Sequence, residues 1–310
     1  MITQIKGLHH VTSMAANAQQ NSDFFTKTLG LRRVKKTVNF DAPDVYHLYY
    51  GDAAGSPGSV MTYFPFPNMR KGRAGVGEVG ETEFAVPKGT LKAWAERLSA
   101  LGVSGLAQSS SFGENRLRFD GPDGDGFALV EVDGDARTPW EGGDVPAEMG
   151  IHGFHGARMR VHDKAASVEL MSFMGYEEAG VDGNVTRLIV PGGNGADRID
   201  IEELPSAALA DQGAGSVHHI AFAVEDRAAQ LEVRKALLDT GYQVTPVIDR
   251  DYFWAIYFRT PGGVLFEVAT NEPGFDRDEA PDQLGQSLML PTQHEHLRSA
   301  LEARLMPITD

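Results

Sequence analysis

The chain contains no cysteine. That excludes disulfides, thiolate zinc sites, iron–sulfur clusters and a cysteine nucleophile, so any metal must be held by His, Asp or Glu. No window approaches the roughly 18 consecutive apolar residues of a membrane span. The first residues, MITQIKGLHH, show no charged-then-apolar leader. Positive charge is also scarce, with 28 Lys and Arg against 43 Asp and Glu, a net −15. Such a surface repels phosphate backbones and acidic lipid, so neither nucleic acid nor a membrane is an expected partner. A cytoplasmic protein is expected. What remains is ordinary globular material: 310 residues, 42% hydrophobic and 23% charged. That length suggests about two domains and buries enough surface to fold without staples.

An internal repeat organises the chain. Four segments read as a helix that stops at a glycine and passes into a strand: DFFTKTLGLRRV (23–34), LKAWAERLSALGV (91–103), VELMSFMGYEEAG (168–180) and LEVRKALLDTGYQV (231–244). The stops are Gly30, Gly102, Gly175 and Gly241, at intervals of 72, 73 and 66 residues. Glycine just past a helix end supplies the left-handed backbone that closes it. One strand-like run precedes each helix, as LHHVTSM, ETEFAVP, FHGARMRV and VHHIAFAV. Further strand candidates follow each helix, so every unit reads β-α-β-β-β over roughly 55 residues. The chain is therefore expected to be α+β, with four modules in two halves. An N-terminal half would span 1–140 and a C-terminal half 150–270, followed by an arm and short helix at 271–310. Four such modules resemble the vicinal oxygen chelate fold, over about residues 7–270. That resemblance implies paired units with curved mixed sheets around a metal-holding cup.

His-His occurs twice, as His9-His10 and His218-His219, where ten histidines would give about 0.3 such pairs by chance. Both pairs fall at the same point of a unit's first strand. Alternation along a strand sends adjacent side chains to opposite faces, so one histidine of each pair is expected in the cup and its neighbour elsewhere. The third unit keeps the first histidine, His155, and has Gly156 for the second; the second unit has neither. Glu267 lies mid-strand among Val264, Leu265, Phe266 and Val268, where a carboxylate is costly unless it is paired or binds a metal. Tyr63 is read at the matching place in unit one, and Asp200 in unit three lacks its histidines. One ligand set results: His10, His219 and Glu267. Two neutral imidazoles and a carboxylate on one face suit non-haem Fe(II), and Mn(II) or Zn(II) fits the same ligands.

The run from Ile256 to Glu267, IYFRTPGGVLFE, resembles the signature of extradiol ring-cleaving dioxygenases, with Arg250 where that family carries an upstream histidine. HHVTS, YHLYYGD (46–52), GSPGSVMTYFP (55–65) and VHHIAFAV (217–224) narrow the resemblance to the hydroquinone and chlorohydroquinone 1,2-dioxygenase group. The resemblance implies a small aromatic substrate and O₂ as partners. It implies that Tyr257 bonds a ring oxygen, with His9, His218 and Arg250 serving proton transfer and substrate anchoring. Arg250 or His47 would meet a para-hydroxyl. Tyr257 and Glu267 share a face only if the TPGG connection is odd in length or bulged.

Two other classes compete: a glyoxalase-type metal lyase or isomerase, which wants a fourth protein ligand, and a metal-free ligand-sequestering protein of the bleomycin-resistance kind. After Asn271 the chain reads as an acidic arm, then a short amphipathic helix with Leu297, Leu301 and Leu305 on one stripe. His294 and His296 are read as surface residues. The unit edges and this tail suggest a homodimer.

Overall fold

Each of the four glycine stops adopts a positive φ: 71° at Gly30, 73° at Gly102, 93° at Gly175 and 93° at Gly241. The next residue closes three of the helices with a six-to-one hydrogen bond, Val103 to Leu98, Tyr176 to Met171 and Tyr242 to Leu237, while Leu31 reaches one residue further back, to Phe25, after the π-turn. Gly30 has no alternative, because a Cβ there would lie 2.5 Å from Val145 Cγ2.

The computed structural model describes residues 1–309. Unit one comprises β1 (Leu8–Ala15), α1 (Ala18–Asp23, continued as a π-turn over Phe24–Thr28), β2 (Arg32–Val38), β3 (Tyr46–Gly51) and β4 (Val60–Pro65). Unit two comprises β5 (Glu78–Pro87), α2 (Leu91–Ala100), β6 (Ala107–Ser111), β7 (Glu114–Asp120) and β8 (Gly126–Val132). Unit three comprises β9 (Gly153–Val161), α3 (Ala165–Phe173), β10 (Glu177–Asp182), β11 (Val185–Ile189) and β12 (Arg198–Glu203). Unit four comprises β13 (Val217–Val224), α4 (Arg227–Asp239), β14 (Ile248–Asp249), β15 (Phe253–Arg259) and β16 (Leu265–Pro273). The expected β-α-β-β-β order thus holds in every unit.

Two eight-stranded mixed sheets result. The first runs β14-β15-β16-β13-β1-β4-β3-β2 and the second β10-β11-β12-β9-β5-β8-β7-β6. The first and fourth units therefore share one sheet, and the second and third share the other. The sheets do not follow the sequence halves 1–140 and 150–270. The seam that matters is β1 against β13, antiparallel, which sets the two double-histidine strands side by side. Phe24 and Phe25 join the layers, with Phe25 packed on Tyr50 and Tyr63 of the first sheet and on Phe127 of the second.

Tyr63 does not occupy the place of Glu267. Register aligns β4 with β1 so that Thr62 stands beside Thr12, and β16 with β13 so that Glu267 stands beside Ala221. Thr12 and Ala221 are equivalent, two positions after His10 and His219, so Thr62 is the counterpart of Glu267. The motif alignment on Pro-Gly misses this because β16 begins one residue later after its turn. Tyr63 instead faces the other side and donates to Asp125 Oδ1 at 2.6 Å. Burial lifts the Asp125 carboxyl to about 6 against that hydrogen bond. A raised folded-state pKa means the folded protein holds a proton that the unfolded chain has lost, so this group's contribution to stability falls as pH rises from about 4 through 6. Asp125→Asn keeps an acceptor for Tyr63 and removes the charge. It is expected to stabilise the protein above pH 6, by an amount on the order of 2–3 kcal/mol, and to flatten stability between pH 4 and 6. Urea unfolding of both proteins at pH 4.5 and 7.5 measures it; equal slopes with pH would refute it.

The tail departs from its reading. Thr292–Leu297 is a 3₁₀ segment and the α-helix covers only α5 (Arg298–Arg304). His294 is half-buried and donates from Nε2 to the Phe40 carbonyl at 2.8 Å, so it is not a free surface residue. Among the described residues no helix is long and apolar enough to cross a membrane.

Candidate metal centre

Both histidine pairs sit at irregularities in the β1–β13 ladder. Pairing passes from Leu8 with Phe222 to His10 with Ala221, leaving His9 as an extra residue. It passes again from Thr12 with His219 to Ser13 with Val217, leaving His218 as an extra residue. A bulge breaks the strict alternation of side chains. The expectation that each pair splits to opposite faces is therefore corrected. His9 Nδ1 lies 2.9 Å from His10 Nδ1, and His218 Nδ1 lies 2.7 Å from His219 Nδ1.

These contacts orient the rings. If Nδ1 of His10 and His219 donates to its neighbour, Nε2 of each keeps its lone pair free for a ligand. The two Nε2 atoms are 3.4 Å apart. Glu267 Oε2 lies 2.8 Å from His219 Nε2 and 3.4 Å from His10 Nε2. All three side chains are buried, Glu267 completely. They are the group of metal-binding type found among the described residues, with ligand atoms all within 4.8 Å of one another. Burial alone would raise the Glu267 carboxyl, yet the facing imidazoles outweigh it and hold the group well below its usual range. Neither Glu267 oxygen has a well-formed hydrogen bond. A buried carboxylate with open lone pairs beside two aimed imidazole nitrogens is a donor set that a divalent cation satisfies. The residues fit a metal.

Tyr257 pairs directly with Glu267 across β15 and β16. The loop between those strands runs 260–264, five residues, so the odd connection puts both side chains on the cup face. Burial and the Glu267 charge push the Tyr257 phenol well above its usual range, which keeps it a neutral hydrogen-bond donor. The Arg250 guanidinium lies 5.6 Å from the Tyr257 ring centre and 5.3 Å from that of Phe40. Its carboxylate neighbour is Asp41, 3.4 Å away, and not Asp249 or Asp251. His9 is buried beside Phe253, and burial lowers its imidazole to about 3. Burial and His219 lower His218 to about 4.

A cavity of about 370 Å³ opens over the three candidate ligands. Met14, Phe40, Phe64, Phe66, Met69 and Phe253 form its apolar walls, while His218, Arg250 and Tyr257 line it with polar groups. Such a volume and lining suit a small planar ring with a few fixed polar contacts. His47 lines it as well, held between Tyr49 and Thr62. Sequence reading did not single out Thr12, Tyr49 or Thr62. The first two lie two residues beyond His10 and His47, on the same strand face, and were findable by that spacing.

The second sheet repeats the geometry with different chemistry. Register sets Glu81 at the place of His10, Gly156 at that of His219, Asp200 at that of Glu267 and Arg187 at that of Tyr257. Arg158, opposite Glu81, fills the space with a side chain where the first cup has Ala221. Arg116 pairs with Glu81 and Glu83, Arg158 with Glu83 and Asp200, and Arg187 with Asp200 and Glu114. There, three guanidinium groups pair with the carboxylates at the centre of the cup, where the first cup sets two imidazoles against Glu267.

A family model described as "Glyoxalase/Bleomycin resistance protein/Dioxygenase superfamily" matches residues 137–268. The Bacillus subtilis (strain 168) protein named "Putative ring-cleaving dioxygenase MhqO" is 41% identical over 99% of this chain and 98% of its own. The "Chlorohydroquinone/hydroquinone 1,2-dioxygenase" of Sphingobium indicum is 37% identical over 96% of this chain and 95% of its own. A B. subtilis crystal structure titled as a putative dioxygenase superposes with a TM-score of 0.95 at 40% identity, covering 99% and 98% of the two chains. With four β-α-β-β-β modules in two mixed sheets and relatives this close along its whole length, the chain belongs to the glyoxalase/bleomycin resistance protein/dioxygenase superfamily and has the vicinal oxygen chelate fold.

Proposed function

We propose that this protein is a ring-cleaving dioxygenase that inserts O₂ into a hydroquinone- or catechol-like aromatic, using Fe(II) held by His10, His219 and Glu267. The observation that carries the proposal is the convergence of two imidazole Nε2 atoms and one carboxylate oxygen on the floor of an apolar, ring-sized cavity. The names of the full-length relatives support it. A facial set of three protein ligands leaves positions open for a substrate oxygen and O₂ together, and bound Fe(II) would supply the redox chemistry.

The chain's own residues do the rest. Phe64 and Phe253 lie among the walls that would hold the ring flat and exclude water. Tyr257, neutral and opposite Glu267, donates to a substrate oxygen placed beside that carboxylate. Arg250 stays cationic despite burial, because Tyr257 and Asp41 outweigh it, and it offers a guanidinium to a second ring oxygen. His9 and His218 fix the ligand imidazoles through Nδ1, and burial keeps both of these supporting rings neutral. A glyoxalase-type site wants a second carboxylate at the place of Thr62, and a hydroxyl stands there.

Protein loaded anaerobically with Fe(II) is expected to take up one O₂ per hydroquinone consumed, followed with an oxygen electrode and product chromatography. The Zn(II)-loaded form is expected to take up none. Absence of uptake with every hydroquinone and catechol tried would overturn the proposal.

A further inference from the structure

Unit one contributes a hydrogen-bonded file of four side chains to the cup that the reading above leaves unused. The Tyr49 hydroxyl lies 2.8 Å from His47 Nδ1, His47 Nε2 lies 2.9 Å from Thr62 Oγ1, and Thr62 Oγ1 lies 2.9 Å from Thr12 Oγ1. All four residues are buried. Thr12, His47 and Tyr49 line the cavity, whereas Thr62 sits behind it. Tyr49 stands opposite Thr62 as Tyr257 stands opposite Glu267, so this half of the cup keeps the geometry of the metal half without its charge.

Three hydroxyls and one neutral imidazole carry four transferable protons, but the file has only three links, so one donor is always spare. With the imidazole proton on Nε2, the bonds run from Tyr49 to His47 to Thr62 to Thr12, and the spare O–H belongs to Thr12. With the proton on Nδ1 they run the other way, and the spare O–H belongs to Tyr49. Among the described residues neither end has another hydrogen-bond partner. Both ends reach the cavity.

We infer that this file is a reversible donor switch that carries a proton along the cavity wall between its Tyr49 and Thr12 ends. This rests on the proposed reaction, in which a dihydroxy aromatic gives up a hydroxyl proton and a product oxygen takes one back. In one pass the substrate hydroxyl protonates the Tyr49 oxygen and the Tyr49 proton moves to His47 Nδ1. The Nε2 proton moves to Thr62, the Thr62 proton to Thr12, and the Thr12 proton to an acceptor oxygen at that end. One proton enters, one leaves, the file reverses, and no electron moves. Neutral links suit this task, since no step creates a buried charge within the file.

Thr62 is the link to test, because it lies outside the cavity. In the Fe(II)-loaded enzyme with hydroquinone, Thr62→Val is expected to lower kcat at least about tenfold with KM changed less than about twofold. Thr62→Ser is expected to restore kcat. A plot of kcat against deuterium fraction should bow in the wild type, where several protons move together, and straighten in Thr62→Val. A folded Thr62→Val with wild-type kcat and the same bow would overturn the switch, as would a folded Thr62→Ser that restores nothing. The metal-free protein gives an independent reading by ¹⁵N NMR of His47. Its ring shifts should average two neutral tautomers and move to the Nε2–H pattern in Tyr49→Phe. A single tautomer that Tyr49→Phe leaves unchanged would overturn the switch whether or not rings are cleaved. No O₂ uptake by the wild type would instead overturn the proposed function, and the tautomer measurement then decides the switch alone.

Discussion

Replacing Glu267 with glutamine is expected to leave a folded protein that no longer retains a divalent metal. The two side chains have nearly the same shape, so the packing around a fully buried residue in β16 is preserved. The change removes the one anionic donor from a set otherwise made of neutral imidazoles. The new amide nitrogen can donate to His219 Nε2, the atom now 2.8 Å from Oε2, and so occupies a lone pair that would otherwise bind metal. Metal content after dialysis should fall from about one ion per chain to near zero. Ring-cleaving turnover should fall by at least ~10³-fold, equivalent to about 4 kcal/mol of transition-state stabilisation. Adding Fe(II) or Mn(II) at about 100 times its Kd should stabilise the wild type by about 2.7 kcal/mol and leave Glu267→Gln unmoved in a thermal melt. Stoichiometric metal in the variant would show that the ion sits elsewhere.

The spacing of glycines carried the module order into the sequence, because a left-handed helix stop is a local requirement that glycine meets at least cost. The histidine pairs were legible for a similar reason: a rare dipeptide at the same point of two units reports a shared environment. Partner choice between units was harder to read. The matched dipeptides put units one and four at one cup, but nothing in the local pattern of β1 says that it hydrogen-bonds directly to β13, more than 200 residues away. The bulges at His9 and His218 were also hidden, since a bulge depends on how two strands meet and the alternation rule assumes they meet evenly. The same limit produced the Tyr63 error. Counting from the Pro-Gly turn assumes turns of equal length, and one residue moves a side chain to the other face of the sheet. Arg250 was visible as a departure from a motif, but its setting against Tyr257 and Phe40 comes from a loop and strand far apart in the chain.

The C-terminal arm was read only as acidic and turn-rich, yet its acids meet a fully buried lysine. Lys35 Nζ on β2 donates to Asp278 Oδ1 and Glu279 Oε2, each at 2.6 Å, and lies 4.8 Å from the Tyr252 ring centre. Tyr252 donates to the other oxygen of Asp278 at 2.9 Å, so one cluster ties the arm to the turn that carries Arg250. Further along, Thr292 donates its backbone N–H and hydroxyl to the Asp251 carboxylate, each at 3.0 Å. Gln293 and His294 hold the Phe40 carbonyl. Lys35→Met keeps the apolar stem and removes the charge, leaving Glu279 nearly buried without the ammonium that donates to it. Breaking one side of a buried pair in this way costs about 3–5 kcal/mol. The triple variant Lys35→Met, Asp278→Asn, Glu279→Gln removes the stranded charges and should recover most of that loss. Urea unfolding would measure both proteins, and proteolysis between residues 277 and 294 should quicken in the single variant alone. A single variant within about 1 kcal/mol of wild type would mean that the cluster is solvated and that the arm is held by its apolar contacts.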